Sequence, residues 1–130
     1  MPKQDKLDML VEIQSNLQRT LGYTFKDMPL VDRVSYIKEY AQHLDGEMFE
    51  MMRELPYFKS WKKYPESIEA QQVMFAKAKL EWADVLHFFL NITLALGFTA
   101  DELFAMYCEK NSINHERQLD HNNYKPCIGE

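Results

Sequence analysis

The chain has 130 residues, of which 46% are hydrophobic and 27% are charged, a balance typical of one folded domain and not of a disordered segment. The net charge of -5 disfavours a surface for phosphate backbones, so no nucleic acid partner is predicted. Two cysteines, no apolar leader and no uninterrupted apolar span predict a protein of the reducing cytoplasm without a membrane segment.

The first predicted helix spans about Gln4 to Leu21, and its apolar residues recur on one face. Gln14 and Gln18 lie on that same face. Two interpretations of these amides stay open. They can border a core contact, or they can recognise a nucleobase edge, because an amide both donates and accepts hydrogen bonds.

The second predicted helix spans about Leu30 to Leu55 and stops before Pro56. Its acidic residues flank the apolar stripe at spacings of three and four: Glu47, Glu50 and Glu54. Such a run is often a solvated face, so it predicts a site only in combination with other residues.

The most apolar stretch of the chain runs from Lys77 to Phe98 and predicts a central helix with neighbours on almost every side. Four polar residues interrupt it at helical spacing and form one stripe: Glu81, Asp84, His87 and Asn91. His87 is expected to be a core histidine, with a role beside a carboxylate as the alternative.

The two acidic pairs, Glu47-x-x-Glu50 and Glu81-x-x-Asp84, meet if their helices pack antiparallel. Two carboxylates 4 Å apart repel by about 4 kcal/mol at an effective dielectric constant of about 20. A hard cation relieves that repulsion, and oxygen-only ligands favour Mg²⁺, with Mn²⁺ as a substitute.

Two further segments carry cations. The loop PYFKSWKKYPES interleaves aromatic and lysine residues, which predicts either stacking on a base or an ordinary surface loop. A capping box at Thr99 to Glu102 starts a helix to about Gln118, on which Lys110, Asn114 and Arg117 share one face. That face is a phosphate clamp or an exposed basic edge. Residues 119–130 are predicted to form an irregular tail of the single domain 1–130.

These motifs together resemble the all-α nucleoside triphosphate pyrophosphatases, and among them the dimeric dUTPases and related phage dCTP/dUTP pyrophosphatases. The resemblance covers about Ile13 to Arg117 and rests on the two acidic pairs, on FKSWK and on YCEKNSINHERQ. It implies an all-α bundle of four to five helices and a homodimer. It also implies that water attacks between the α and β phosphates and releases the nucleoside monophosphate and pyrophosphate.

The resemblance implies roles for particular residues. The positions that match catalytic magnesium ligands are Glu47, Glu50, Glu81 and Asp84. The positions that match substrate contacts are Lys110, Asn114 and Arg117 for the triphosphate, Lys59, Trp61 and Lys62 beside the nucleotide, and Gln14 at the base. Gln18 stands where relatives commonly have asparagine, which leaves uracil and cytosine both open as the base.

Three alternatives remain at the level of sequence. One is a MazG-like pyrophosphatase that acts on several or modified nucleotides. Another is a di-iron bundle, although only Asp84-x-x-His87 approaches the required Glu-x-x-His. The third is a non-catalytic helical binding protein, which Asp84 inside an apolar run disfavours.

Overall fold

The computed structural model describes residues 4–119. Within them it contains four α-helices and one 3₁₀ turn, Phe25–Asp27, and no strand. The helices are α1 Lys6–Thr20, α2 Leu30–Glu54, α3 Ile68–Ala95 and α4 Ala100–Leu119. The all-α prediction is therefore confirmed, while the predicted tail lies outside the described residues from residue 120 onward.

The described residues form two compact units that divide between Gly97 and Phe98. The first unit contains α1, α2 and α3, and the second contains α4. The assignment of the whole chain to a single domain stays a prediction.

In the first unit, α2 and α3 are packed antiparallel. The start of α2 meets the end of α3, where the Arg33 guanidinium donates to the Ala95 carbonyl at 2.9 and 3.1 Å. Farther along α2, the ring of Tyr40 lies 6.0 Å from that of Phe88. This orientation carries the end of α2 toward the middle of α3, as the pairing of acidic residues requires.

Three of the four helices begin where the sequence supplies a side-chain cap, whereas α2 begins after Pro29 without one. Asp5 and Asp8 form a capping box at the start of α1. Ser67 Oγ accepts a hydrogen bond from the Ala70 N–H at 3.2 Å, so the predicted cap of α3 is confirmed. In the second unit, Thr99 caps α4 through the Glu102 N–H at 3.1 Å.

The helix α3 is less enclosed than its composition predicts. Its buried side chains include Val85, Leu90 and Ala95, which face the neighbouring helices. On another face Trp82, Leu86 and Phe89 are 54%, 41% and 45% exposed. The expectation of a helix surrounded on almost every side is wrong for the described residues, because α1 and α2 leave this face uncovered.

No single helix among the described residues is long and apolar enough to cross a membrane. The third and fourth helices satisfy the criteria of length and composition only when they are taken together across the break between them.

Candidate active site

Three carboxylates converge where α2 passes α3. One oxygen from each of Glu47, Glu81 and Asp84 lies within 4.8 Å of the others. Glu47 and Glu81 are half-buried, whereas Asp84 is exposed. We call these three residues the acidic trio. Oxygen ligands at this separation suit a hard divalent cation, which would bridge the two helices.

The electrostatic strain of the acidic trio is concentrated on Glu81. Desolvation is the largest cause that raises the pKa of this carboxyl group, followed by the negative charges of Asp84 and Glu47. A hydrogen bond with Glu47 and the charge of Glu50 raise the pKa further. A cation bound between these carboxylates would offset their mutual repulsion.

Glu50 lies outside the acidic trio, although its charge acts on Glu81. Its Oε1 is 3.5 Å from Arg53 Nη1, one turn farther along α2. The structure therefore brings three of the four predicted metal ligands together, and the fourth is engaged by a neighbouring cation.

The polar stripe of α3 continues from the acidic trio toward α1. Gln14 is 3% exposed, and its Nε2 donates to Asn91 Oδ1 at 2.6 Å. Its Oε1 lies 3.1 Å from His87 Nδ1. Because this oxygen is an acceptor, His87 Nδ1 is the donor in this contact.

His87 itself is exposed, so the expectation of a core histidine is wrong. The partner recorded for its ring is the Gln14 amide and not a carboxylate. Three residues, about 4.5 Å of rise and slightly less than one helical turn, separate His87 from Asp84.

Gln18 occupies a separate environment one turn beyond Gln14 on α1. It is 3% exposed, and the Tyr36 hydroxyl donates to its Oε1 at 2.9 Å. Burial is the main cause that raises the pKa of Tyr36 far above its usual range, so the phenol stays a hydrogen-bond donor.

The predicted nucleotide loop follows α2 and is internally ordered. The Lys59 N–H donates to the Tyr64 hydroxyl at 2.8 Å, and Gln71 Nε2 donates to the Pro65 carbonyl at 3.0 Å. Trp61 is 82% exposed, and Lys59 Nζ lies 6.0 Å from its ring centroid. Lys62 Nζ lies 5.6 Å from the ring of Tyr64. The loop thus presents an aromatic ring and two amines to solvent.

The second unit carries the predicted phosphate clamp. Lys110, Asn114 and Arg117 lie on α4, are all exposed and share one helical face by their spacing. Their role in binding phosphate stays a prediction.

Sequence reasoning missed two residues that shape the first unit. Tyr36 lies within the predicted second helix, and nothing local indicates that its hydroxyl reaches Gln18 on another helix. Arg33 caps the last turn of α3 from α2, a contact between residues 62 positions apart. The sequence does not predict this contact of Arg33, because its partner is a backbone carbonyl and not a side chain.

The chain is similar in sequence to a known family and to several curated phage proteins. The dUTPase family matches the chain over residues 1–96 and 89–124. A dCTP pyrophosphatase of Enterobacteria phage T4 is 31% identical over 137 residues, which are 90% of this chain and 80% of that protein. A dCTP pyrophosphatase of Enterobacteria phage LZ5 is 25% identical over 138 residues, with the same two coverages.

A DNA replication protein of Enterobacteria phage T4 is 30% identical over 130 residues, 85% of this chain but 33% of that longer protein. No solved structure matches the chain.

The helical fold, the acidic trio and these matches define the class as an all-α nucleoside triphosphate pyrophosphohydrolase. The chain belongs to the dUTPase family. The resemblance inferred from its motifs is confirmed, and the di-iron and non-catalytic alternatives are set aside.

Proposed function

We propose that this enzyme hydrolyses dCTP, dUTP or both to the nucleoside monophosphate and pyrophosphate in a Mg²⁺-dependent reaction, with Mn²⁺ as a substitute. The observation that carries the proposal is the convergence of Glu47, Glu81 and Asp84 within 4.8 Å. The names of the phage relatives and of the family support the choice of substrates.

The acidic trio and Glu50 are the proposed metal ligands. A bound Mg²⁺ supplies charge neutralisation at the phosphates and lowers the pKa of a water molecule. The carboxylates hold and orient that centre, and one of them accepts the proton of the attacking water. The water attacks the α phosphorus, the bond to the bridging oxygen breaks, and pyrophosphate leaves.

Gln14 is the proposed contact to the base, and its neighbours bear on the choice between cytosine and uracil. The His87 ring beside it directs Nδ1 toward Gln14 Oε1, so this contact does not engage Nε2. The exocyclic amine of cytosine is a donor, whereas the corresponding group of uracil is a carbonyl acceptor. The names of the two phage dCTP pyrophosphatases make dCTP the first substrate to test, and Gln18 remains a proposed contributor to base choice.

The remaining proposed contacts are cationic and aromatic. Lys59, Trp61 and Lys62 lie on an ordered, exposed loop suited to stacking and to neutralising phosphate charge. Lys110, Asn114 and Arg117 are proposed, from the family resemblance, to bind the triphosphate and the leaving pyrophosphate.

We also propose a homodimer in the cytoplasm. The apolar face of α3 formed by Trp82, Leu86 and Phe89 is the proposed interface, because a second copy would bury it. The cytoplasm fits the proposed substrates, since deoxynucleoside triphosphates serve as precursors there.

The test is pyrophosphate release from a panel of deoxynucleoside and ribonucleoside triphosphates, with Mg²⁺, with Mn²⁺ and with a chelator. We expect metal-dependent turnover of dCTP or dUTP that falls by at least about 10²-fold in Glu81→Gln. Glu54→Gln is the matched control, because Glu54 shares α2 with Glu47 but lies outside the acidic trio.

Equal turnover with and without metal, or full activity of Glu81→Gln, would contradict the proposed site. Turnover spread evenly over purine and pyrimidine nucleotides would instead assign the enzyme a broad specificity of the MazG-like kind.

A further inference from the structure

The first unit contains a cavity of about 220 Å³ to which the proposed reaction assigns no role, apart from naming Gln18 in its wall as a contributor to base choice. It lies between the last turn of α1, the loop from Tyr23 to Lys26, and Leu94 near the end of α3. Leu94 is ten residues beyond Asp84, which places it about 15 Å farther along the helix. The layer formed by Gln14, His87 and Asn91 lies between the two levels.

One wall of the cavity holds a buried amide with a free donor. Gln18 lines the cavity, and its Oε1 accepts from Tyr36. Among the described residues, no hydrogen-bond partner is found for its Nε2. Every fully buried side-chain nitrogen or oxygen of those residues has a partner, so Nε2 is not fully buried. The Nε2 group therefore opens onto the cavity. Because this donor is accessible from the cavity, a ligand acceptor there can replace the water that would otherwise bind it.

The other polar groups of the wall are also donors. Arg19 and Lys26 contribute positive charge, and Ser15 and Thr24 contribute hydroxyl groups. Arg19 also donates to Asn16 Oδ1. Among the described residues, no carboxylate lines the cavity. A cavity lined by amide, hydroxyl and cationic donors, and by no acidic group among the described residues, favours an oxyanion as its ligand.

The left-handed backbone at Gly22 creates this arrangement. Gly22 has φ +97°, and its N–H donates to the Arg19 carbonyl while the Tyr23 N–H donates to the Gln18 carbonyl. This Schellman closure turns the chain sharply at the end of α1. It thereby brings Thr24 and Lys26 back beside Gln18 and Arg19.

We propose that this cavity binds a phosphate group, held by the Gln18 amide, the flanking hydroxyls and the charges of Arg19 and Lys26. Its volume is below the roughly 300–1,000 Å³ typical of sites for whole drug-sized ligands, so it takes a small phosphate and not a complete nucleoside triphosphate. Free phosphate, pyrophosphate and the phosphate of a nucleoside monophosphate share this chemistry.

The test follows the side-chain amide of Gln18 by ¹H–¹⁵N NMR in the full-length protein. EDTA is present throughout, so that phosphate cannot bind through a metal at the acidic trio. Inorganic phosphate, pyrophosphate and dCMP are added in separate titrations, and Gln18→Ala assigns the signals. We expect a saturable shift of the Gln18 Nε2 signals with at least one of them, and the probe with the tightest binding identifies the source.

The variant Arg19→Gln/Lys26→Gln should bind that probe about tenfold more weakly, because it removes both positive charges from the wall of the cavity. Lys38→Gln is the matched control, because Lys38 is exposed on α2 and does not line the cavity. Gln18 signals that no probe shifts would overturn the proposal. It would equally be overturned if Lys38→Gln weakened binding as much as the double variant does. The measurement requires no turnover, so its outcome is independent of the proposed reaction.

Discussion

Glu81 is the residue at which the charge of the acidic trio has its largest effect. Desolvation and the neighbouring carboxylates raise its pKa, so the folded protein without metal holds the proton more tightly than the unfolded chain does. The stability associated with Glu81 is complete below its ordinary value of 4.5 and is lost as the pH rises through the raised value. In the metal-free protein at neutral pH, the ionised Glu81 carboxylate therefore lowers the free energy of unfolding.

We predict that Glu81→Gln raises the melting temperature of the protein at pH 7 in EDTA, because glutamine mimics the protonated form. The difference should disappear in acid, where both carboxyl and amide are neutral. Thermal unfolding of both proteins between pH 4 and 8 measures this, with Glu54→Gln as the control. A variant less stable than wild type at pH 7 would contradict the assignment of strain to this carboxylate.

Asn91 accepts the hydrogen bond that the buried Gln14 side-chain amide donates. Because Gln14 is 3% exposed and donates to Asn91 Oδ1 at 2.6 Å, Asn91→Leu would leave a buried donor unpaired. We predict a loss of about 1–3 kcal/mol in the free energy of unfolding, measured with urea.

The paired variant Gln14→Met/Asn91→Leu is the control for this interaction. Removing both polar partners should restore much of the lost stability, because no buried donor remains unsatisfied and the exposed His87 ring can bond to water instead. Losses that simply add in the double variant would show that the two side chains are not coupled.

At the scale of elements, helix α2 contains an internal glycine directly before Glu47. Gly46 is helical, and a Cβ built on it meets nothing within 4 Å. We predict that Gly46→Ala stabilises the protein by about 0.5–1 kcal/mol, because alanine loses less backbone entropy in a helix. Urea unfolding measures this gain, and Ala41→Gly on the same helix should cost a similar amount. A Gly46→Ala variant less stable than wild type would show that a side chain at this position does meet neighbouring atoms.

The helices and the acidic trio could be predicted from sequence because their signals are local. Ser67 and Thr99 mark helix starts within one turn, and the spacing of Glu81 and Asp84 fixes their common face. The pairing with Glu47 needed only the assumption of antiparallel helices. The contacts of Tyr36 with Gln18 and of Arg33 with Ala95 could not be predicted, since they join residues 18 and 62 positions apart. Their geometry depends on packing between helices, for which sequence spacing carries no information.

At the scale of the whole molecule, the apolar face of α3 indicates what a second copy would cover. Trp82, Leu86 and Phe89 recur at helical spacing and are 41–54% exposed, while no large side chain of the described residues is fully buried. Burying each of these side chains completely would contribute about 1.5–3 kcal/mol at most, and this gain is the reason that the face is the proposed dimer interface.

We predict that wild-type protein sediments as a dimer and that Leu86→Glu sediments as a monomer, because the proposed interface would then bury two unpaired carboxylates. Val31→Glu is the matched control, since Val31 is 71% exposed at the start of α2, away from that face. It should leave the dimer intact. A monomeric wild-type protein, or equal dissociation of both variants, would place the interface elsewhere. Because Trp82 lies on the proposed interface, dissociation should also shift its fluorescence to longer wavelength as the indole becomes exposed to water.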